Sequence, residues 1–295
     1  MNCPKLVQSY TRSKARQVDT RRTAAAVICD APWAATIKLD LLSLDPSEMT
    51  AEICRMTSID MLQVAGKYAF VPCESYSPAN TCNYTRGWHH RDHHQPSKPP
   101  RPDAGLKRDK AIARDLLVSN ILSAWAADRD AGHKNVVLME NPMGMLQHRP
   151  FMQWLPQLLG MIKHRIDYCA YAHMFKKPTH ICTNLCWFPC GCTGTGRCEG
   201  KCGQGKIGSS GKFIHDRAIA QEPHRGPTGV GATKLKNAVP DKLIQEWMEA
   251  MVHRRAKHPE QNVIIDLCAG YQSVKTLAMA HGFNYIAVDI AGDRN

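Results

Sequence analysis

The chain has 295 residues, 43% of them hydrophobic, so it is long enough to bury a core without disulfide staples. Its formal net charge of +12 excludes an acidic protein and favours a polyanionic partner such as nucleic acid. The sequence contains no run of about 18 apolar residues for a membrane span, and it does not begin with a signal-peptide core. We therefore expect a soluble intracellular protein, nuclear or cytoplasmic, with no membrane partner. Its 13 cysteines should stay reduced and serve metal binding or catalysis.

The first half of the chain predicts strands, a loop and a helix in turn. Residues 1–22 are polar and basic and form an N-terminal arm. Four apolar runs predict strands: 24–30, 35–42, 67–72 and 135–142. The Pro- and His-rich stretch from Cys82 to Lys107 predicts a long loop, and helical spacing of apolar residues predicts a helix over 109–130. Pro156 interrupts the helical pattern that follows the fourth strand.

The second half predicts two further strands within 167–184 and an irregular Cys- and Gly-rich stretch over 182–232. A helix begins after Pro240, and the chain closes with a strand, helix, strand unit. Strands alternating with helices predict an α/β fold, a parallel or mixed sheet with helices on both faces, plus a Cys-rich irregular insertion. Residues at the carboxyl ends of such strands share one crevice. By this rule Cys73, Glu140, Gly270 and Asp289 should converge.

The closing unit has the layout of a nucleotide site. VIIDLCAGYQS is a strand and a glycine turn, and AVD ends the next strand in an acidic residue. Asp289 would accept hydrogen bonds from ribose hydroxyls, while Gly270 would let the ligand approach the backbone. Gln272 stands where a dinucleotide fingerprint has glycine, which favours an adenosyl ligand over a pyrophosphate. The alternative interpretation is an ordinary βαβ core without a ligand.

Together with PCESYS, MENP, the Lys176 to Thr179 stretch and KNAVP, this unit resembles the cytosine-5 DNA methyltransferases. The resemblance implies a Rossmann-like methyltransferase sheet that binds S-adenosylmethionine. It assigns cofactor binding to Asp266, Leu267, Cys268, Ala269, Gly270, Asp289, Asp40 and Asn237. It assigns catalysis to Cys73, Glu140 and Asn141. In the family the cofactor turn comes first, whereas here it comes last, which predicts a circular permutation with the chain cut between the second and third strands.

The resemblance also explains each residue type by the chemistry. Cytosine C5 is a weak nucleophile, so the thiolate of Cys73 adds to C6 and makes C5 reactive. Glu140 stabilises the base at N3, and Asn141 fixes the local loop. The base must leave the helix stack, so the implied partner is double-stranded DNA with base flipping. Against this, cysteine is among the most buried residue types, and a lone Pro-Cys pair is easily found by chance.

A second cofactor layout is left open in the N-terminal part. There Asp30 would accept the ribose and Asp40 would lie near the adenine, but the turn between them lacks glycine. Two other functions are also left open: methylation of RNA cytosine, and zinc-dependent nucleic-acid binding on the same fold without turnover. The sequence does not fix the oligomeric state.

Six cysteines lie within residues 182–202, a density that favours tetrahedral zinc bound by Cys and His. The predicted ligands are Cys190, Cys198, Cys202 and either Cys192 or His215. The alternative is a loop of reduced cysteines.

The domain prediction is an arm (1–22), a catalytic part (23–181), a zinc and target-recognition segment (182–232) and a C-terminal cofactor unit (233–295). Basic residues of the third part would contact phosphates: Lys201, Lys206, Lys212, Arg217 and Arg225. The His cluster at 87–94 is a second candidate for DNA contact, with metal binding and simple solvation as its alternatives.

Overall fold

The computed structural model describes residues 32–73, 76, 104–215, 238–269 and 272–290. The predicted arm, the predicted strand at 24–30 and the His cluster at 87–94 lie outside the described residues. So do five of the individually predicted positions: Asp30, Arg217, Arg225, Asn237 and Gly270.

The described residues form nine strands and five α-helices. The strands are β1 (Ala34–Leu39), β2 (Val64–Phe70), β3 (Val136–Pro142), β4 (Ile162–Asp167), β5 (Pro178–Thr183), β6 (Gly205–Ile207), β7 (Phe213–His215), β8 (Val263–Leu267) and β9 (Asn284–Ile290). The helices are α1 (Met49–Thr57), α2 (Ala104–Asp130), α3 (Phe151–Leu158), α4 (Asp241–Arg255) and α5 (Lys275–Ala280). None of these helices combines the length and the apolar content that crossing a membrane requires.

Seven strands form one sheet in the order β1-β9-β8-β2-β3-β5-β4. All neighbours are parallel except at β5, which runs antiparallel to both β3 and β4. The five neighbouring parallel strands can be renumbered from β8, with β9 second, β1 third, β2 fourth and β3 fifth. Their order in the sheet is then 3-2-1-4-5, which is the common order of a doubly wound sheet. β9 and β1 are neighbours in the sheet although they come last and first among the described strands. The expectation of an α/β fold with a mostly parallel sheet is therefore confirmed.

The sheet lies between two helical layers, each with its own apolar core. α1, α2 and α3 cover one face, where Ile53 and Trp125 are buried. α4 and α5 cover the other face, where Trp247 and Ala278 are buried. Successive side chains of β8 point to opposite layers, and all five of its residues are buried. Burial on both faces explains why this strand reads as a continuous apolar run.

Several element boundaries differ from the sequence predictions. The long helix begins at Ala104 rather than 109, and α3 ends at Leu158, two residues after Pro156. Only β5 lies within the stretch predicted to hold two strands, because Tyr168–Tyr171 form a 3₁₀ turn and β4 comes earlier. β4 is an edge strand that begins with the exposed Ile162 and continues with Lys163, His164 and Arg165, so it lacks the apolar signal of a core strand.

Candidate active site and metal centre

The carboxyl ends of β2, β3, β8 and β9 lie at one edge of the sheet. Phe70 is paired with Glu140, and Leu267 is paired with both Ala69 and Val288. The edge includes the step from β8 to β2, where strand order reverses and where open α/β sheets bind their ligands. The described strand ends that carry the predicted site residues thus lie at the same edge of the sheet. The chemical roles of these residues stay predictions.

Cys73 follows β2 and is half-buried. Its carbonyl oxygen accepts the backbone N–H of Tyr76 at 2.9 Å, which closes a tight turn. Tyr76 is fully buried, and its hydroxyl donates to Asp115 of α2 at 2.8 Å. The carboxylate of Asp115 also pairs with Arg149 at 2.9 Å. The turn that carries Cys73 is therefore fastened to the helical layer.

Glu140, at the end of β3, is buried beside two donors. Its Oε1 accepts the Tyr168 hydroxyl at 2.6 Å and lies 3.8 Å from Nζ of Lys177. The Lys177 ammonium also lies 4.7 Å from the centre of the Tyr168 ring. Burial raises the pKa of Tyr168 well above its ordinary value, and the charge and hydrogen bond of Glu140 and the charge of Cys73 raise it further. Tyr168, which the sequence analysis missed, therefore lies within electrostatic reach of both predicted catalytic side chains.

Asn141 links the two strands that carry the predicted catalytic pair. Its Nδ2 donates to the Val71 carbonyl at 3.4 Å, two residues before Cys73. Its Oδ1 is buried and has no hydrogen-bond partner among the described residues. This amide accords with the predicted role of fixing the loop, and it leaves one acceptor at the same edge.

The turn after β8 has an unusual backbone. Cys268 and Gln272 both have positive φ values, +62° and +50°, a conformation that favours glycine. The N–H of Ala269 donates to the Val288 carbonyl at 3.1 Å, and Nε2 of Gln272 donates to the Thr36 hydroxyl at 3.2 Å. These bonds tie the turn to β9 and to β1. Gln272 thus takes the backbone conformation of the glycine that the fingerprint would have there.

The three predicted acidic cofactor residues have different surroundings. Asp266 is fully buried and accepts the Tyr285 hydroxyl, and burial raises its pKa from 3.8 to about 7. Asp289 is half-buried near the end of β9, opposite Lys38 of β1. Asp40 is exposed, and its Oδ1 accepts the backbone N–H of Leu42 at 3.0 Å. Asp289 is the one of the three whose half-buried position at the edge suits ribose recognition.

Beyond the end of β4, four side chains form a compact group: Cys169, Cys198, Cys202 and His215. Their potential ligand atoms all lie within 4.8 Å of one another, so the group could hold a metal ion. The predicted ligand set needs correction. Cys190 and Cys192 are exposed and lie outside the group, with Sγ atoms near the carbonyls of Phe188 and Lys201. Cys169 replaces them, and no local pattern points to it because it precedes the Cys-rich segment in the chain.

Local backbone geometry assembles this group. The short hairpin of β6 and β7 carries His215, and a Cβ on Gly205 would lie 2.2 Å from the Ile214 carbonyl, so only glycine fits there. Cys198 and Cys202 flank Gly200, whose φ of +77° allows a tight turn. Burial raises the pKa of the Cys169 thiol, and the thiols of Cys198 and Cys202 raise it further. Burial also raises the pKa of the Cys202 thiol, while a backbone hydrogen bond at Gln204 opposes that change.

A cavity of about 630 Å³ lies at the opposite, amino edge of the sheet. Asn135 and Arg254 line it, whereas Cys73 and Glu140 do not. No family model, curated protein or solved structure was found to match the chain. The motifs and the geometry of the carboxyl edge therefore provide the basis for inferring a function.

Proposed function

We propose that the protein transfers a methyl group from S-adenosylmethionine to C5 of cytosine in double-stranded DNA. The observation that carries this proposal is the position of Cys73 and Glu140 at the ends of adjacent strands, beside the strained turn after β8. The sheet order counted from β8 supports the circular permutation that the motif order predicts. In this proposal the turn after β8 takes the role of the family's cofactor turn.

The chemistry assigns a task to each side chain. The Cys73 thiolate forms a bond to C6, and the carboxylic acid form of Glu140 donates its hydrogen to N3, which neutralises the negative charge that the addition develops there. The electron pair at C5 then takes the methyl group, and the sulfonium becomes a neutral thioether. Water then takes the C5 proton, the electron pair of the C5–H bond re-forms the C5=C6 double bond and expels the Cys73 thiolate, and N3 returns its proton to Glu140. Tyr168 and Lys177 orient the Glu140 carboxyl for this step.

The proposed partner follows from charge. Exposed Lys201, Lys206 and Lys212 lie on the Cys-rich segment, which we propose contacts the DNA target. The formal net charge of +12 supports a phosphate-rich partner in the same way. A flipped cytosine would enter the carboxyl edge between this segment and the turn after β8.

Product analysis tests the proposal directly. The protein is incubated with S-adenosylmethionine carrying a labelled methyl group, and with duplex DNA or RNA of mixed sequence. We expect 5-methylcytosine in the DNA by mass spectrometry, and none with Cys73→Ser. The matched control Cys186→Ser, an exposed thiol, should keep activity. Label found only in RNA would favour an RNA methyltransferase, and DNA binding without any product or cofactor affinity would favour a binding protein.

A further inference from the structure

The Cys169 group has the dimensions of a zinc site. Nε2 of His215 lies 3.1 Å from the sulfur of Cys198, 3.4 Å from that of Cys169 and 3.5 Å from that of Cys202. A tetrahedral Zn²⁺ with Zn–S of about 2.3 Å and Zn–N of about 2.0–2.1 Å separates sulfur from nitrogen by about 3.5 Å. Three thiols and one imidazole are ligands that select Zn²⁺ over Mg²⁺ or Ca²⁺. The side chains therefore need only small shifts to accept the ion.

The segment that supplies three of these ligands has little apolar core of its own. Its hairpin strands are three residues each, and the large side chains Phe188, Ile207 and Ile214 are exposed. Segments too small to bury a core are commonly stabilised by a metal or by disulfides. A bound ion would give this hairpin the stability that packing does not provide.

The fourth ligand connects the group to the candidate active site. Cys169 directly follows Tyr168, whose hydroxyl donates to Glu140 at 2.6 Å. The preceding residue, Asp167, accepts the Cys198 N–H at 2.9 Å and donates its own N–H to the Gly196 carbonyl at 2.8 Å. Two consecutive side chains of one 3₁₀ turn thus face different groups: Tyr168 contacts Glu140, and Cys169 belongs to the metal group.

We propose that Cys169, Cys198, Cys202 and His215 bind one Zn²⁺ ion, and that the ion holds Tyr168 in position against Glu140. Zinc loading would then couple the order of the target-recognition segment to the geometry of the catalytic carboxyl. The coupling rests on the proposed function only in naming Glu140 catalytic, whereas the metal site stands without it. Tyr168 is a positioning residue in this account because it acts through Glu140.

Metal content tests the site. The purified full chain should contain about one zinc per molecule, and less than about half would overturn the proposal. Cys202→Ser and His215→Ala should lose most of the metal, while Cys192→Ser, on the same segment but outside the group, should keep it. Equal loss in all three variants would also contradict the ligand set. Far-UV circular dichroism checks that each variant is folded.

Hydrogen exchange of the wild-type chain tests the coupling without any substitution. Chelation of zinc should speed amide exchange by about tenfold or more over 162–171 and 136–142, because loss of the ion frees the Tyr168 turn. Peptides from β1, at the other end of the sheet, should not change. Faster exchange confined to 184–215 would overturn the coupling.

A variant that keeps the metal separates the two halves of the proposal. Tyr168→Phe should retain zinc and its exchange protection over 184–215, yet lose the zinc dependence of exchange over 136–142. Retained dependence would show that the coupling does not pass through Tyr168. A wild-type chain that binds zinc and shows the coupling but never methylates DNA would refute the proposed function alone. A purified chain that methylates DNA but contains no zinc would refute the metal site alone.

Discussion

Cys268 and Gln272 distinguish the turn after β8 from an ordinary strand-to-helix connection. Both are non-glycine residues in the left-handed region, a conformation that costs about 1–3 kcal/mol where it is strained. Such strain persists where surrounding contacts enforce it, as the Gln272 bond to Thr36 does here. Backbone strain of this kind is common at ligand sites, and the proposed function assigns the cofactor to this turn. Gln272 shows that the position where the fingerprint has glycine takes a positive φ here without glycine.

Asp266 makes stability depend on pH. Burial raises the pKa of this carboxyl from 3.8 to about 7, so the folded chain keeps a proton that the unfolded chain releases in that window. The free energy of unfolding should therefore fall as pH rises through the window, by about 1.4 kcal/mol per pH unit at most. Asp266→Asn keeps an acceptor for Tyr285 and removes the titration.

Urea unfolding of wild type and Asp266→Asn from pH 5 to pH 8 measures this effect. The variant should gain stability relative to wild type as pH rises from 5 to about 7, and the difference between the two should stop growing above about pH 7. Parallel pH profiles for the two proteins would show that Asp266 does not titrate in the window.

The residues of the candidate site differ in how visible they are in the sequence. Cys73 and Glu140 stand at the ends of apolar runs, so their position follows from local pattern. Cys169 and Tyr168 belong to a turn with no such pattern, and they join their partners only through the tertiary fold. A metal ligand far from the other ligands in the chain has no spacing rule that reveals it.

At the scale of elements, a buried ion pair ties three of them together. The ammonium of Lys67 on β2 bonds the carboxylate of Asp128 on α2, which also accepts the hydroxyl of Thr50 on α1 at 2.6 Å. Lys67 is 1% exposed and Asp128 is 5% exposed. Burial lowers the pKa of Lys67, and the charge of Asp128 opposes that change. The charge of each side chain therefore offsets the cost of burying the charge of the other.

Removing one partner of this pair should cost more than removing both. Asp128→Ala leaves a buried ammonium uncompensated, and we expect a loss of about 3–5 kcal/mol in the free energy of unfolding. The double variant Lys67→Met/Asp128→Leu should recover most of that loss, since two apolar side chains need no compensation. Urea titrations of the three proteins give the comparison. A double variant as unstable as Asp128→Ala would contradict this explanation.

Elements with strong apolar signals were predictable, and edge elements were not. β3, β8 and β9 are buried runs that the sequence marks clearly. α1 was missed because its nine residues mix polar and apolar side chains and follow a turn closely. β4 was misplaced because its outward residues are polar. A strand that is buried on both faces has a continuous apolar sequence and can be predicted, whereas a short element that is buried on one face has no such run.

For the whole molecule, the order of strands is compatible with the permuted order that the motifs predict. β8 comes late in the chain, yet it lies inside the sheet between β9 and β2. β9 and β1 are neighbours in the sheet, as expected if the chain of an unpermuted protein were cut between its second and third strands. The reversed direction of β5 was not predictable, because an antiparallel partner leaves no mark on apolar runs this short.

The net charge makes a prediction about DNA binding. A protein that contacts about six to ten phosphates loses roughly 10³–10⁵-fold in affinity between about 50 and 200 mM salt, because binding releases counterions. With a formal net charge of +12, we expect a dependence of this size. Fluorescence anisotropy of a labelled duplex at several salt concentrations measures it. Affinity that hardly changes with salt would contradict a phosphate-based interface.

Covalent trapping tests the central claim most directly. Fluorine at C5 cannot leave as a proton does, so DNA containing 5-fluorocytosine should hold the Cys73 adduct after methyl transfer. The account predicts a complex that survives denaturing detergent, requires S-adenosylmethionine, maps to Cys73 by peptide mass spectrometry, and is lost in Cys73→Ser but kept in Cys186→Ser. A wild-type protein that binds the DNA and the cofactor but forms no adduct, or an adduct that persists in Cys73→Ser, would contradict it.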